Sequence, residues 1–161
     1  MKYMAQVNWQ RWQALLLEED GFLTEVKFVK DENEILEFIN DNEIRPGDGE
    51  ILREAKMQFE EYFDERRKTF ELPMKPAGTP FQKAVWEELK KIPYGEYRSY
   101  RQIAEAVGSP KAARAVGQAV HVNPLPIVIP CHRVICSDGH LGGYGGGQDM
   151  KYFLLMMEGA I

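Results

Sequence analysis

The chain has 161 residues, of which 44% are hydrophobic, and a formal net charge of −5 at pH 7; this is enough apolar material for one medium domain or two small ones that fold unaided. No apolar run approaches the roughly 20 residues that cross a bilayer, and the first residues lack the apolar stretch and cleavage site of a signal peptide, so we expect a protein of the cytoplasm, or of the nucleus in a eukaryote. The only two cysteines, Cys131 and Cys136, are too few for a disulfide framework and poorly spaced for zinc, which favours reduced thiols and argues against a metal site.

The first half of the chain predicts a hairpin followed by two helices. Gln13 to Leu17 and Phe22 to Val29 have the composition of strands, and the turn Asp20-Gly21 between them is typical of a β-hairpin. The stretch DENEILEFIN predicts a short helix, and GEILREAKMQFEEYFDERRKTF carries apolar residues at helical spacing. Three prolines and a glycine in ELPMKPAGTP then mark a boundary between an N-terminal domain, residues 1–75, and a C-terminal domain, residues 76–161.

The pattern beyond this boundary is mainly helical. In TPFQKAVWEELKKI, Thr79 is a candidate N-cap with proline at the first helical position. Two further helices are predicted around GSP: Ser99 to Val107, and a second one capped by Ser109 with Pro110 at its first position. Two short helices joined by a glycine-containing turn fit a DNA-binding helix-turn-helix, although most helix pairs of this kind only pack together.

Charge is distributed unevenly between the two halves. Residues 1–75 carry 11 Lys+Arg against 18 Asp+Glu, a net −7, whereas residues 81–135 carry 8 against 4, a net +4. The second half therefore suits a polyanion such as nucleic acid, although the whole molecule is acidic. A solvated basic face would give the same counts, so the charge alone leaves both interpretations open.

Cys131 lies at the end of the stiff segment NPLPIVIP, in which three prolines and β-branched residues restrict the backbone. Such stiffness is typical of a positioned nucleophile, and a neighbouring base or positive charge would raise the fraction of thiolate, the form that attacks. His132 and Arg133 are adjacent in sequence, but adjacent side chains often point apart, so a bridging water is as compatible with the sequence as a direct contact. A small buried hydrophobic residue is the alternative interpretation. Lowering a thiol pKa from about 8.5 gains at most about tenfold near neutral pH, so orientation, which contributes up to ~7 to 11 kcal/mol, has to be the larger effect.

A thiol that depends on orientation needs a shaped pocket with exposed main-chain N–H groups. The segment GHLGGYGGG can form one, because glycine lets a ligand approach the backbone closely and Tyr144 can form an aromatic wall. A flexible surface loop would have the same composition, so this interpretation also stays open here.

Three motifs give the chain a resemblance to a known family. They are GTPFQKAVWEELKKIPYGEYRSYRQIA, PKAARAVGQAVHVNPLPIVIPCHRV and GGYGGGQDMKYFLLMMEG, and in this order and spacing they resemble the O6-alkylguanine-DNA alkyltransferases, also called methylated-DNA–protein-cysteine methyltransferases. The resemblance covers about half of the chain, from Thr79 to Glu158. It implies an α+β fold, with a small N-terminal α/β domain of the ribonuclease H type and a mainly helical C-terminal domain with a helix-turn-helix.

The resemblance also implies a reaction. The protein would move the alkyl group of O6-alkylguanine irreversibly to Cys131, once per molecule and without a metal or organic cofactor; O4-alkylthymine is a second candidate substrate. The implied relay runs from Glu158 to His132 and through water to the thiol. Asn123 would tie the turn before the cysteine to the helix-turn-helix. The expected partner is duplex DNA carrying the lesion, bound by a monomer or by copies that assemble cooperatively on DNA; no membrane partner is expected.

Other positions match residues that handle DNA in the family. The target base must be flipped out of the duplex at a cost of a few kcal/mol, and Arg114 is implied to fill the gap while Tyr100 turns the phosphate and binds the base. The helix-turn-helix is implied to use the minor groove, whose pattern is degenerate. Gly145 stands where many relatives have serine, so only its N–H would remain to bind O6. The further residues expected to contact substrate or DNA are Ser99, Ala113, Arg133, Tyr144 and Lys151.

Three other functions are compatible with parts of the pattern. An alkyltransferase-like protein that grips damaged DNA without repairing it would lack the acceptor cysteine, which is present here as Cys131. A cysteine hydrolase would use the same Cys131 and His132, but a histidine directly after the nucleophile and a DNA-reading helix pair before it fit that reaction poorly. A transcription regulator that senses cysteine methylation would need further DNA-binding or metal domains.

Overall fold

The computed structural model describes all 161 residues, which divide into two compact units, Met1–Ala77 and Gly78–Ile161. The predicted boundary after residue 75 lies close to this division. No helix in the structure combines the length and the apolarity that crossing a membrane requires. In chain order the elements are β1 Lys2–Trp9, β2 Trp12–Glu19, β3 Phe22–Val29, α1 Glu32–Asn42, β4 Ile44–Pro46, α2 Glu50–Phe63, α3 Pro80–Lys90, β5 Arg98–Ser99, α4 Tyr100–Ala106, α5 Ala113–His121, a 3₁₀ turn Cys131–Arg133, β6 Val134–Ile135 and α6 Gln148–Met157.

The first unit is built on a four-stranded sheet in the order β3-β2-β1-β4. Strands β1 to β3 form an antiparallel meander and β4 pairs in parallel with β1. The predicted β2–β3 hairpin is confirmed, with Asp20 and Gly21 both at positive φ, as a two-residue turn of this kind requires. The prediction missed β1, because KYMAQVNW contains too few strongly apolar residues to stand out as a strand.

The two helices of this unit cover opposite faces of the sheet, because neighbouring residues of a strand point to opposite sides. On one face Leu15 and Leu17 of β2 pack with Ile35 of α1. On the other face lies Trp9, whose ring stacks on Phe63 of α2 with the ring centroids 4.4 Å apart. Both faces are therefore buried, and this unit has a core of its own.

Helix α3 anchors the second unit. Thr79 caps it as predicted, in a capping box that Gln82 completes, and this arrangement satisfies two N–H groups at the helix start. The buried face of α3 includes Trp86, whose indole Nε1 donates to the carbonyl of Ala119 at 2.8 Å. That bond ties α3 to α5 and fixes the helix that the sequence predicted as the second of a DNA-binding pair.

Helices α4 and α5 form the predicted helix pair, with one difference in where the second begins. Ser99, the first residue of the predicted stretch, caps α4, but α5 starts at Ala113 and has no side-chain cap. The predicted start at Ser109 and Pro110 is therefore wrong. The Ser109 N–H is instead bound to the carbonyl of Ala104, and the Ser109 carbonyl accepts from Ala112, so these residues form the turn that ends α4.

Short strands connect this helix pair to the cysteine segment. Strands β5 and β6 pair in parallel, with Arg98 opposite Val134 and Ser99 opposite Ile135. Strand β5 leads directly into α4, and β6 directly follows the 3₁₀ turn that contains Cys131. The start of α4 and the chain after the thiol are consequently held side by side.

Candidate active site

Cys131 is held by the turns that precede it. The side chain of Asn123 donates to the carbonyl of Ile129 at 2.9 Å and accepts from the N–H of Leu125 at 3.0 Å. Ile127 lies in the left-handed region with φ 75°, a conformation that costs a residue with a Cβ about 1 to 2 kcal/mol. The Asn123 side chain and the Ile127 backbone both act on the Cys131 thiol in the direction that lowers its pKa.

The thiol rests in its neutral form. Cys131 is 6% exposed, and burial raises its pKa to about 11 against the opposing effects of the Asn123 hydrogen bond and the Lys151 charge. A thiol with this pKa is almost entirely protonated at neutral pH. Desolvation therefore outweighs the neighbouring groups that favour the thiolate in the resting protein.

A buried carboxylate joins the two residues that follow the cysteine. The Oε2 atom of Glu158 lies 2.8 Å from His132 Nε2, and the same carboxylate accepts from Arg133 Nε at 2.8 Å and from Nη2 at 3.0 Å. Arg133 Nη1 also donates to the carbonyl of Ile92 at 2.7 Å. All three charged or titratable side chains are buried, so this pairing operates in a medium of low dielectric constant.

The protonation states follow from these contacts. Burial alone would raise the pKa of Glu158, but hydrogen bonds from His132 and Arg133 and the Arg133 charge outweigh it and bring the pKa to about 2. Burial lowers the pKa of His132 despite the carboxylate, so the imidazole is neutral. Because a carboxylate only accepts, His132 Nε2 carries the proton and Nδ1 is a bare acceptor. That Nδ1 is buried and has no hydrogen-bond partner, so it is available to accept a proton.

We expect the stability contributed by Glu158 to be lost in acid. Its folded pKa of about 2 lies below the ordinary value of 4.5, so the contribution is fully present above pH 4.5 and disappears as the pH falls towards 2. The pKa difference corresponds to about 3 kcal/mol. Urea unfolding of wild type and Glu158→Gln should therefore differ most near neutral pH, and the difference should shrink in acid. Glu105→Gln, at an exposed position, is the control. A difference in unfolding free energy between wild type and Glu158→Gln that does not change with pH would contradict the prediction.

Arg133 and Lys151 do not lie where the sequence-based prediction put them. Both were expected to contact substrate or DNA, but they are 7% and 0% exposed, respectively. Arg133 is fully engaged by Glu158 and Ile92, as described above. The Lys151 ammonium donates to the main-chain carbonyls of Leu141 and Gly143, and burial lowers its pKa to about 8. Neither side chain is available to a DNA phosphate.

The remaining residues predicted for the pocket lie around the same thiol. Tyr100, the first residue of α4, is half-buried, and burial, followed by the nearby Cys136 and Cys131 thiols, raises its pKa. Its ring packs against Gly142, where an added Cβ would be 3.1 Å from the Tyr100 hydroxyl. The Tyr144 ring lies edge-on to His132 with the centroids 6.4 Å apart. One tyrosine from α4 and one from the glycine-rich segment therefore flank the site.

Four residues predicted to bind DNA or substrate are exposed or have a local role. Ala113 and Arg114 are exposed at the start of α5, as a DNA-reading surface requires. The hydroxyl of Ser99 accepts from the N–H of Gln102 at 3.1 Å, so in this structure it caps α4. Gly145 is exposed in the segment before α6. No group of three or more His, Cys, Asp or Glu side chains is arranged to hold a metal ion.

Comparison with protein families identifies both units. Residues 80–160 match the model of the 6-O-methylguanine DNA methyltransferase DNA-binding domain, and residues 2–76 match that of its ribonuclease-like domain. The chain belongs to the methylated-DNA–protein-cysteine methyltransferase family. This confirms the resemblance inferred from the motifs, and with it the α+β fold with a ribonuclease-like domain first and a helical domain second.

Individual members of the methylated-DNA–protein-cysteine methyltransferase family are similar over most of the chain. The methyltransferase of Methanosarcina acetivorans is 53% identical over 111 residues, covering 69% of this chain and 71% of that protein. The methyltransferase of Methanosarcina mazei is 44% identical, covering 91% of this chain and 90% of that protein. The crystal structure of the Mycobacterium tuberculosis O6-methylguanine methyltransferase superposes with a TM-score of 0.87 at 36% identity, covering 99% and 94%. The M. tuberculosis OGT in complex with DNA gives a TM-score of 0.85 at 35% identity, covering 99% and 92%.

Some residues of this methyltransferase site escaped the sequence-based prediction. Ile127 and Ile92 act through their backbone, which a sequence of apolar residues does not reveal. Gln148, at the start of α6, donates to the carbonyl of Gly142 at 3.1 Å, and nothing in its sequence context indicated that contact. Gln102 could have been found, since a glutamine three residues after the cap Ser99 is the signature of a capping box.

Proposed function

We propose that this protein repairs DNA by moving the alkyl group of O6-alkylguanine irreversibly to its own Cys131, once per molecule. Relatives of known name are methylated-DNA–protein-cysteine methyltransferases, and a similar structure was solved in complex with DNA. The observation that carries the proposal is the enclosed thiol beside a neutral histidine. Asn123 holds the turn before Cys131, and His132 keeps one nitrogen free of hydrogen bonds.

The reaction is a displacement at the alkyl carbon. The sulfur of Cys131 attacks that carbon, an S–C bond forms, and the C–O6 bond breaks with its electron pair remaining on guanine. The thiol proton passes through a water molecule to Nδ1 of His132 and finally returns to the released guanine, so the products are unmodified guanine and a thioether. Glu158 stays ionised throughout and holds the imidazole in the tautomer that accepts the proton.

The raised thiol pKa sets the task of His132. With a pKa of about 11, only about one Cys131 in 10⁴ is ionised at neutral pH. The proton therefore has to leave as the alkylated base arrives, which is general base catalysis and contributes typically 10² to 10⁴-fold. A hydrogen bond from the Tyr100 hydroxyl to the leaving base stabilises the charge that develops on guanine.

DNA reaches the thiol only if the damaged nucleotide leaves the helix. Cys131 is enclosed, whereas guanine O6 lies inside the base stack, so the base is rotated out at a cost of a few kcal/mol. Exposed Arg114 on α5 fills the gap, and Ala113 beside it lets the helix approach the minor groove. The net charge of +4 over residues 81–135 attracts the DNA backbone. We expect one copy of the protein to act on one lesion. We also expect it to work in the compartment that holds the chromosomal DNA.

Duplex DNA with radiolabelled O6-methylguanine tests this function. We expect label to move to the protein up to one equivalent and then stop, because the thioether does not revert to a thiol. Mass spectrometry of a digest should show one methyl group on the peptide that contains Cys131. An identical duplex with unmodified guanine is the control. Repeated turnover would indicate a hydrolase, and tight binding without transfer would indicate a damage sensor; either result contradicts the proposal.

A further inference from the structure

Three consecutive carbonyls of the glycine-rich segment are held from one helix. Lys151 of α6 donates to the carbonyls of Leu141 and Gly143, and Gln148 of the same helix donates to the carbonyl of Gly142 between them. From here on, residues 141–147 are called the pocket loop. It contains Tyr144 and Gly145 and ends at Gly147, which has a positive φ of 96°.

Lys151 is an unusual residue in this place. Its side chain is fully buried, yet its polar contacts are two neutral carbonyls, together with the Tyr100 ring at 5.9 Å. Burying an ammonium group without an acidic partner is costly. An apolar side chain would fill the same space at no such cost, so the contacts that Lys151 makes to the pocket loop call for a functional explanation.

The direction of the held carbonyls determines the direction of the amides. In a planar trans peptide the C=O and the following N–H point to opposite sides. Because the carbonyls of residues 141–143 point to Lys151 and Gln148, the N–H groups of Gly142, Gly143 and Tyr144 point away from these two side chains. The pocket loop is thereby fixed with a row of donors on its other side, and donors of this kind stabilise an oxygen that gains negative charge.

We propose that Lys151 is a positioning residue for alkyl transfer: by holding two carbonyls of the pocket loop it orients the loop's N–H groups and Tyr144 around the alkylated base. This inference rests on the proposed function, since it names a device within the same site. Gln148 assists at the middle carbonyl. Lys151 acts on the base through the loop and does not touch the reacting atoms itself.

A second role for the ammonium has to be separated from this one. The Lys151 charge lowers the pKa of the Cys131 thiol, so it could act instead as counter-ion to the thiolate. Two further titratable side chains interact with the thiol, Tyr100 of α4 and Tyr144 of the pocket loop. Only the reactivity of the thiol towards a small reagent distinguishes a counter-ion from a positioning residue.

The test compares Lys151→Met, which keeps the bulk but not the donor, with Lys151→Gln, which keeps a neutral donor. Single-turnover transfer from methylated duplex and alkylation of Cys131 by iodoacetamide are measured for each. We expect Lys151→Met to slow transfer about 10 to 100-fold, as misplacement by an ångström does, with half-saturating DNA concentration and iodoacetamide rate within about threefold of wild type. Lys151→Gln should recover part of the transfer rate.

Three results would overturn the inference. Transfer by Lys151→Met at the wild-type rate would remove any role, and a parallel fall in both rates with no recovery in Lys151→Gln would assign the counter-ion role. Should Lys151→Met fail to fold, Gln148→Leu at an exposed position takes its place, and an unchanged transfer rate there would count against the inference. Absence of transfer in wild type would contradict the proposed function itself, independently of these comparisons.

Discussion

Replacing Cys131 with alanine is expected to abolish alkyl transfer while binding of duplex DNA stays within about twofold of wild type. The acceptor sulfur is removed, so the thioether cannot form at this site. DNA binding survives because Cys131 is buried, whereas the exposed residues at the start of α5 are unchanged. Label transfer from methylated duplex and a gel-shift titration of the same duplex measure the two properties separately.

Cys136→Ala is the matched control for this prediction. Cys136 is the other free thiol, is partly exposed and lies just beyond β6. We expect it to be dispensable, so this variant should still take up one equivalent of methyl group. Label on the Cys131→Ala protein, lost again when Cys136 is also replaced, would identify Cys136 as the acceptor and contradict our assignment.

Replacing Arg133 with methionine is expected to lower the free energy of unfolding by about 3 to 5 kcal/mol, because it leaves the buried Glu158 carboxylate without its main counter-charge. Three hydrogen bonds of the guanidinium are lost at the same time, two to Glu158 and one to Ile92. Chemical denaturation followed by fluorescence measures the change. Transfer should also slow, since His132 loses the fixed position of its partner.

Arg98→Met in the same unit is the control for Arg133→Met. Arg98 pairs with Glu96 at 3.1 Å, but both side chains are more than one third exposed, and surface pairs contribute only about 0 to 1 kcal/mol. The double variant Arg133→Met with Glu158→Gln gives a further check, because removing the orphaned charge should restore part of the lost stability. If the double variant instead loses as much unfolding free energy as the two single variants together, the orphaned carboxylate is not the cause.

Local rules of helix and turn formation predicted much of the fold. Asp20-Gly21 indicated its hairpin and Thr79 its helix start, because caps and tight turns depend on a few neighbouring residues. The start of α5 was predicted wrongly for the same reason: Ser109 and Pro110 are a good cap locally, but the Ser109 N–H bonds back to Ala104. Which of two local options wins is decided by the preceding helix, and sequence alone does not weigh them.

The motif predicted which residues form the candidate site. It did not predict the chemical environment of each residue. The neighbours Cys131 and His132 and the distant Glu158 were expected in one site, and His132 and Glu158 do meet. Arg133 and Lys151 were misplaced because a charged residue is expected at the surface unless its partner is known. Their partners are main-chain carbonyls and one carboxylate far along the chain, and only the folded structure brings these together.

The enclosure of Cys131 has a consequence for how such a protein differs from a conventional catalyst. An enzyme with many cycles has to reopen and discharge what it has made, and that step often limits its speed. A protein that retains the transferred group for good has no such step at the sulfur. Its nucleophile can therefore follow a strained turn at Ile127 and be buried from solvent, because no release of product from the sulfur has to be fast.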